Sequence, residues 1–140
     1  RTLSAAHVAC FQEVTDGNVR DLRRGLDAEG FHAFLAQQTT IAPYRVAMAT
    51  KPPAGKLVGA RTVGFESQMG RGILIARTEW PSVGQIAVGC AHLESSTDAN
   101  PGRATFAMRE AQLRVALEAL DDEARRRGCV AALFCGDTNW

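Results

Sequence analysis

Four short stretches hold most of the side chains here that can do chemistry: Phe11-Gln12-Glu13-Val14, His92-Leu93-Glu94-Ser95, Arg109-Glu110-Ala111-Gln112 and Gly136-Asp137-Thr138-Asn139. They supply carboxylates, an imidazole, a hydroxyl, a guanidinium and amides. A hard divalent cation takes carboxylate oxygens and keeps its other positions for water and phosphate oxygens. A carboxylate can also accept a proton from water, and imidazole, hydroxyl and amide groups donate to a phosphoryl oxygen. Brought to one place, the set suits a metal ion and a phosphate held together. Asp137 and Asn139 lie two residues apart, so an extended chain points both to one side. Each stretch alone admits a plainer reading. Glu13 is then a charge turned into a loop, Asp137-Thr138-Asn139 an Asx turn, and His92 a structural strand-end histidine.

Three of the stretches follow apolar runs that read as buried strands. Ala5 to Phe11 is one, with Gln12 and Glu13 at its C-terminal end. Gln85 to Ala91 is another, ending at His92, and Val130 to Cys135 a third, of central type, ending at Gly136. Gly72 to Arg77 reads as the hairpin partner of the second, across the turn Pro81 to Gly84. Tyr44 to Thr50 alternates as a strand does, and Lys51 to Lys56 with its two prolines is a loop. Leu57 to Met69 looks irregular. Val19, Leu22 and Leu26 predict a short helix after a turn at Asp16-Gly17-Asn18, while Phe31, Phe34 and Leu35 suggest a second short amphipathic piece.

Ser95 to Gly102 reads as a polar loop. Ala104 to Arg127 is the clearest helix, with Phe106, Leu113, Leu117, Leu120 and Ala124 as its apolar stripe and Gly128 as its stop. Arg109 falls on the buried side. A guanidinium there needs an anionic partner, and a supporting ion pair with Glu94 or Glu13 would meet that need. His7 and His32 read as structural.

With 140 residues there is room for one core. Net charge is +1, so any attraction for phosphate is local rather than global. No apolar run approaches the length of a membrane span. Cys10, Cys90, Cys129 and Cys135 form no CxxC pair, which argues against zinc and for buried free thiols.

The ordered set Gln12-Glu13, His92-Leu93-Glu94-Ser95, Arg109-x-x-Gln112-Leu113 and Gly136-Asp137-Thr138-Asn139 resembles the endonuclease/exonuclease/phosphatase superfamily, closest to its tyrosyl-DNA phosphodiesterase 2-like branch. Thr138 between Asp137 and Asn139, and the form of the His92 block, favour that branch. The resemblance implies an α/β fold, the central part of a four-layered sandwich of two packed mixed sheets flanked by helices. It implies Mg²⁺, with Mn²⁺ as a substitute, held by Glu13. It makes Asp137, Asn139 and His92 catalytic, with Ser95, Asn139 and His92 on the phosphate and Glu94, Arg109 and Gln112 in support. The implied substrate is a phosphodiester, single-stranded or end-exposed DNA carrying a 5′ tyrosyl adduct, in a nuclear or cytoplasmic setting away from membranes.

The superfamily's Asn-bearing first strand and its Ser-Asp-His segment have no counterpart in residues 1–140. The expectation is an incomplete domain, inactive and unstable by itself. Two other functions fit the same residues: another nuclease or small-phosphoester phosphatase, and a non-catalytic binding module on the same fold.

Overall fold

The computed structural model describes residues 6–37, 43–53, 56–96 and 103–140. Seven strands and two helices follow in the order β1 (Val8–Val14), α1 (Val19–Ala28), β2 (Ala33–Ala36), β3 (Arg45–Thr50), β4 (Leu57–Gly64), β5 (Gly72–Trp80), β6 (Gly84–His92), α2 (Arg103–Arg127) and β7 (Ala131–Asp137). One sheet is antiparallel, ordered β1-β3-β2. The other, ordered β4-β5-β6-β7, is mixed because β7 runs parallel to β6.

Alternation along the strands sends residues to opposite faces, and this divides the core into layers. Val46 and Met48 of β3 meet Leu74 and Ala76 of β5 and Val88 and Cys90 of β6, so the two sheets pack face to face. On the outer face of the mixed sheet, Ile73, Ile75, Ala87 and Ala91 lie under Ala116, Leu120 and Ala124 of α2. On the outer face of the other sheet, Ala9 and Ala49 lie under Leu26 and Phe31. The result is helix, sheet, sheet, helix: a four-layered α/β sandwich.

Several sequence expectations change. Phe34 and Leu35 sit in a strand, not a helical piece, for β2 pairs with β3 from Ala33↔Thr50 to Ala36↔Ala47. Leu57–Gly64 is a strand on β5, with its register shifted between Leu57 and Gly59. Its alternation was obscured because Arg61 occupies an inward position, where its guanidinium bonds Glu123 (2.7 Å) and the Ala119 carbonyl (2.8 Å) on α2. The α2 stripe is rotated from the expected one. Thr105, Arg109, Gln112, Ala116, Leu120 and Ala124 are buried, while Phe106 and Leu117 are 49% and 47% exposed. Small side chains let the helix lie close on the sheet. β7 is an edge strand among the described residues, with Leu133 half exposed. Residues 97–102 of the expected polar loop lie outside the described residues.

Gly128 ends α2 as expected, at φ +66°. All four cysteines are free. The Cys10 thiol is held above its ordinary range, first by a hydrogen bond with Cys90 and then by burial, and so is an unreactive part of the core.

Candidate active site

The rim of the sandwich where β1, β6 and β7 end is also where β3 and β5 begin, because they run antiparallel to β1 and β6. β1 is bulged there. Phe11 pairs with Ala47 and Val14 with Arg45, so Gln12 and Glu13 together oppose Val46. Glu13 takes a left-handed φ of +55° and its side chain is exposed, while Gln12 Nε2 turns inward to Cys90 Sγ (3.6 Å). The bulge thus separates two neighbours by function: the amide joins the sheets and the carboxylate faces out at the rim.

His92 and Asp137 are register partners at the ends of β6 and β7. Gly136 makes this pairing possible: a Cβ at that position would meet the Ala91 carbonyl oxygen at 2.0 Å. His92 is buried, and its Nε2 lies 3.9 Å from Asp137 Oδ2. Asp137 Oδ1 accepts the Asn139 backbone N–H (2.9 Å), so the Asx turn exists and still leaves the second oxygen toward His92. Asn139 adopts φ +54° and donates from Nδ2 to the Leu93 carbonyl (2.8 Å), which ties the end of β7 to that of β6.

Glu94, at 2% exposure, accepts from Ser67 Oγ (2.6 Å), the Met69 N–H (3.1 Å) and Gln112 Nε2 (3.2 Å). Gln112 also accepts the Glu94 N–H at 2.9 Å and donates to the Glu66 carbonyl at 3.0 Å. Ser67 Oγ accepts the N–H groups of Met69 (3.1 Å) and Arg71 (2.9 Å). Glu94 and Gln112 therefore fasten the loop from Phe65 to Arg71. Glu94 makes no hydrogen bond to the His92 ring, which instead bonds Arg71 through Nδ1. Ser95 Oγ lies 3.4 Å from Met69 Sδ, on the same loop.

Arg109 is buried as expected, yet among the described residues it has no carboxylate partner. Its guanidinium lies over the Trp140 ring, 5.4 Å from the centroid, and Phe106 meets the same indole edge-on at 4.9 Å. The ion pair with Glu94 or Glu13 does not form because Glu94 is saturated by loop donors and Glu13 belongs to the far sheet. Arg109 braces the chain just past Asn139 by a cation–π contact instead of an ion pair.

Arg71 is the residue that sequence reasoning missed. It is buried beside His92, and burial lowers the pKa of its guanidinium, a shift that Glu94, Glu13 and Asp137 oppose. The same surroundings act on His92. Burial first and then Arg71 lower its pKa, and Asp137 and Glu13 oppose them. The rim thus joins Glu13, Arg71, His92, Asp137 and Asn139: two outward carboxylates, a cation, a neutral imidazole and an amide. This arrangement can take a phosphate and a small cation side by side.

No family model matches the sequence, and no curated protein matches it. Solved structures do match. A humanized D. rerio TDP2 with 14 mutations is 24% identical over 99% of this chain and 55% of its own, at a TM-score of 0.78. The D. rerio TDP2 complexed with single strand DNA product is 23% identical over 99% and 50%, at 0.77. ANGEL2, described as a 2′,3′-cyclic phosphatase, is 22–23% identical over 96% and 39–40% in two structures, one with adenosine-2′,3′-vanadate, at 0.76. The chain spans about half the length of the TDP2 structures it matches. These likenesses give it the fold of the endonuclease/exonuclease/phosphatase proteins.

Proposed function

We propose that this rim is the active site of a Mg²⁺-dependent phosphodiesterase of the endonuclease/exonuclease/phosphatase superfamily, which hydrolyses 5′-phosphotyrosyl ends of DNA. One observation carries the reading: Glu13, His92, Asp137 and Asn139, drawn from distant parts of the sequence, converge at the ends of β1, β6 and β7.

Among the described residues no three His, Cys, Asp or Glu side chains are grouped as a protein cage for an ion. The rim instead presents two exposed carboxylates, Glu13 and Asp137, a set that suits an ion held by one or two carboxylates, with water and substrate phosphate completing its shell. Glu13, exposed on its bulge, is the residue that would hold it. Bound there, Mg²⁺ or Mn²⁺ supplies charge to offset that developing on the phosphoryl oxygens. Asp137 Oδ2 faces the site and takes the proton of an attacking water. His92 Nε2, the Ser95 hydroxyl and the second N–H of the Asn139 amide supply donors to the phosphoryl oxygens. Arg71 adds a fixed positive charge behind them. A phenol with a pKa of about 10 leaves readily as phenolate, so the site needs no strong general acid.

The single-stranded DNA product recorded with one TDP2 structure supports a DNA strand end as substrate. A second reading keeps the chemistry and changes the substrate, because ANGEL2 stands at 0.76 beside 0.78 for TDP2. Comparing turnover by the intact protein separates the two. The proposal expects a 5′-phosphotyrosyl oligonucleotide to be preferred over an abasic duplex, an inositol phosphate and a 2′,3′-cyclic phosphate. Preference for any of the other three overturns the tyrosyl assignment.

A further inference from the structure

The hydrogen bond between Arg71 and His92 fixes where a proton sits. A guanidinium has only donors and stays protonated in proteins. Its Nη1 bonds Nδ1 of His92, so Nδ1 must offer a lone pair. The ring's one remaining proton is then on Nε2, the nitrogen turned toward Asp137. The 3.9 Å to Asp137 Oδ2 is too long for a hydrogen bond, so this N–H is left for an acceptor entering the rim.

Arg71 is itself held from two sides. Its backbone N–H bonds Ser67 Oγ, whose hydroxyl donates to the buried Glu94 carboxylate, and Gln112 of α2 locks that carboxylate in turn. Its side chain also lies against Met69 Sδ at 3.7 Å. A chain of hydrogen-bonded groups therefore runs from the face of α2 through Glu94, Ser67 and Arg71 to the His92 ring. The charges facing the ring are Arg71 from the loop before β5, Asp137 from β7 and Glu13 from β1.

We infer that Arg71 is a positioning residue: it holds His92 as the neutral Nε2–H tautomer, making that ring an obligate hydrogen-bond donor at the rim rather than a group that shuttles protons. The inference deepens the proposed phosphodiesterase reading and rests on it for the identity of the acceptor, a phosphoryl oxygen. The placement of the proton rests on geometry alone.

Long-range ¹H–¹⁵N correlation spectra of the ¹⁵N-labelled intact protein at neutral pH read the tautomer directly. The chain has three histidines, so His7→Asn and His32→Asn variants isolate the His92 signals. The expected result is a neutral ring protonated on Nε2 in the wild type. In Arg71→Met, a second form should appear, with Nδ1–H or with both nitrogens protonated, together with a loss of about 10-fold or more in kcat. Arg71→Lys preserves the charge and one donor, and keeps the Nε2–H form if the methionine variant proves too unstable to study. A wild-type ring protonated on Nδ1 overturns the inference. So does an unchanged tautomer in a folded Arg71→Met, or its loss in Arg71→Lys.

The two readings fail separately. Absence of any phosphodiester turnover with an Nε2–H ring removes the functional reading and leaves the proton placement intact. Turnover with an Nδ1–H ring overturns the placement alone.

Discussion

Asp137 commits one carboxylate oxygen to the Asn139 N–H and leaves the other facing His92. An asparagine there keeps an acceptor for the turn but accepts a proton poorly. Asp137→Asn is therefore expected to lower kcat by about 10²–10⁴-fold with KM little changed, measured by steady-state kinetics on a phosphodiester substrate. His92 carries a prediction about stability. Its pKa is lowered in the fold, chiefly by burial and then by Arg71, so the unfolded chain binds more protons as pH falls. Its contribution is fully present above the unfolded value of about 6.5 and is lost as pH drops toward the folded value. Urea midpoints of wild type should fall on acidification below about pH 6.5, and those of His92→Gln should fall less. At this scale the candidate residues were legible because their types are chemically distinctive. Arg71 was missed although a usable signal existed: a strand antiparallel to one that ends at the rim delivers its own first residues there. The expected β5–β6 hairpin therefore implied that the residues before Gly72 would lie beside His92.

The strongest elements, β5, β6, α2 and its Gly128 stop, were legible from apolar runs and helical period. What failed had identifiable physical causes. Arg61 put a charge at an inward position of β4, and Thr105, Arg109 and Gln112 put polar groups on the buried face of α2. A reading of polarity alone turns that helix the wrong way. The contrast is measurable. Leu120, buried against Ile73 and Ala116, should cost about 3 kcal/mol on truncation to alanine, while exposed Leu117 should cost less than about 0.5 kcal/mol. Denaturant unfolding of the two variants checks the pair. The loop fastened by Glu94 makes a further prediction. Glu94→Ala strands the Ser67 hydroxyl, while the Met69 N–H keeps Ser67 Oγ and Gln112 Nε2 keeps the Glu66 carbonyl, and should cost about 2 kcal/mol.

Across the whole molecule, two sheets pressed face to face bring strand ends from both layers to a common rim. Glu13 comes from one sheet and His92 and Asp137 from the other, so the site exists only while the layers stay in register. No local pattern encodes that meeting. It follows from the packing of Val46 and Met48 on Leu74 and Val88, a contact between segments far apart in the sequence. Among the described residues no helix is long and apolar enough to cross a membrane. The chain spans about half of the TDP2 structures it resembles, and the activity, DNA substrate and metal requirement are proposals about the protein that contains these residues. The claim most directly at stake is that the rim hydrolyses phosphodiesters with a divalent ion at Glu13. Turnover of a 5′-phosphotyrosyl oligonucleotide by the intact protein, titrated with Mg²⁺ in wild type and Glu13→Ala, measures it. The account predicts Mg²⁺-dependent cleavage in the wild type and a loss of about 10²-fold or more in the variant, eased by higher Mg²⁺. Equal turnover by both proteins, or none by the wild type at any Mg²⁺ concentration, would contradict it.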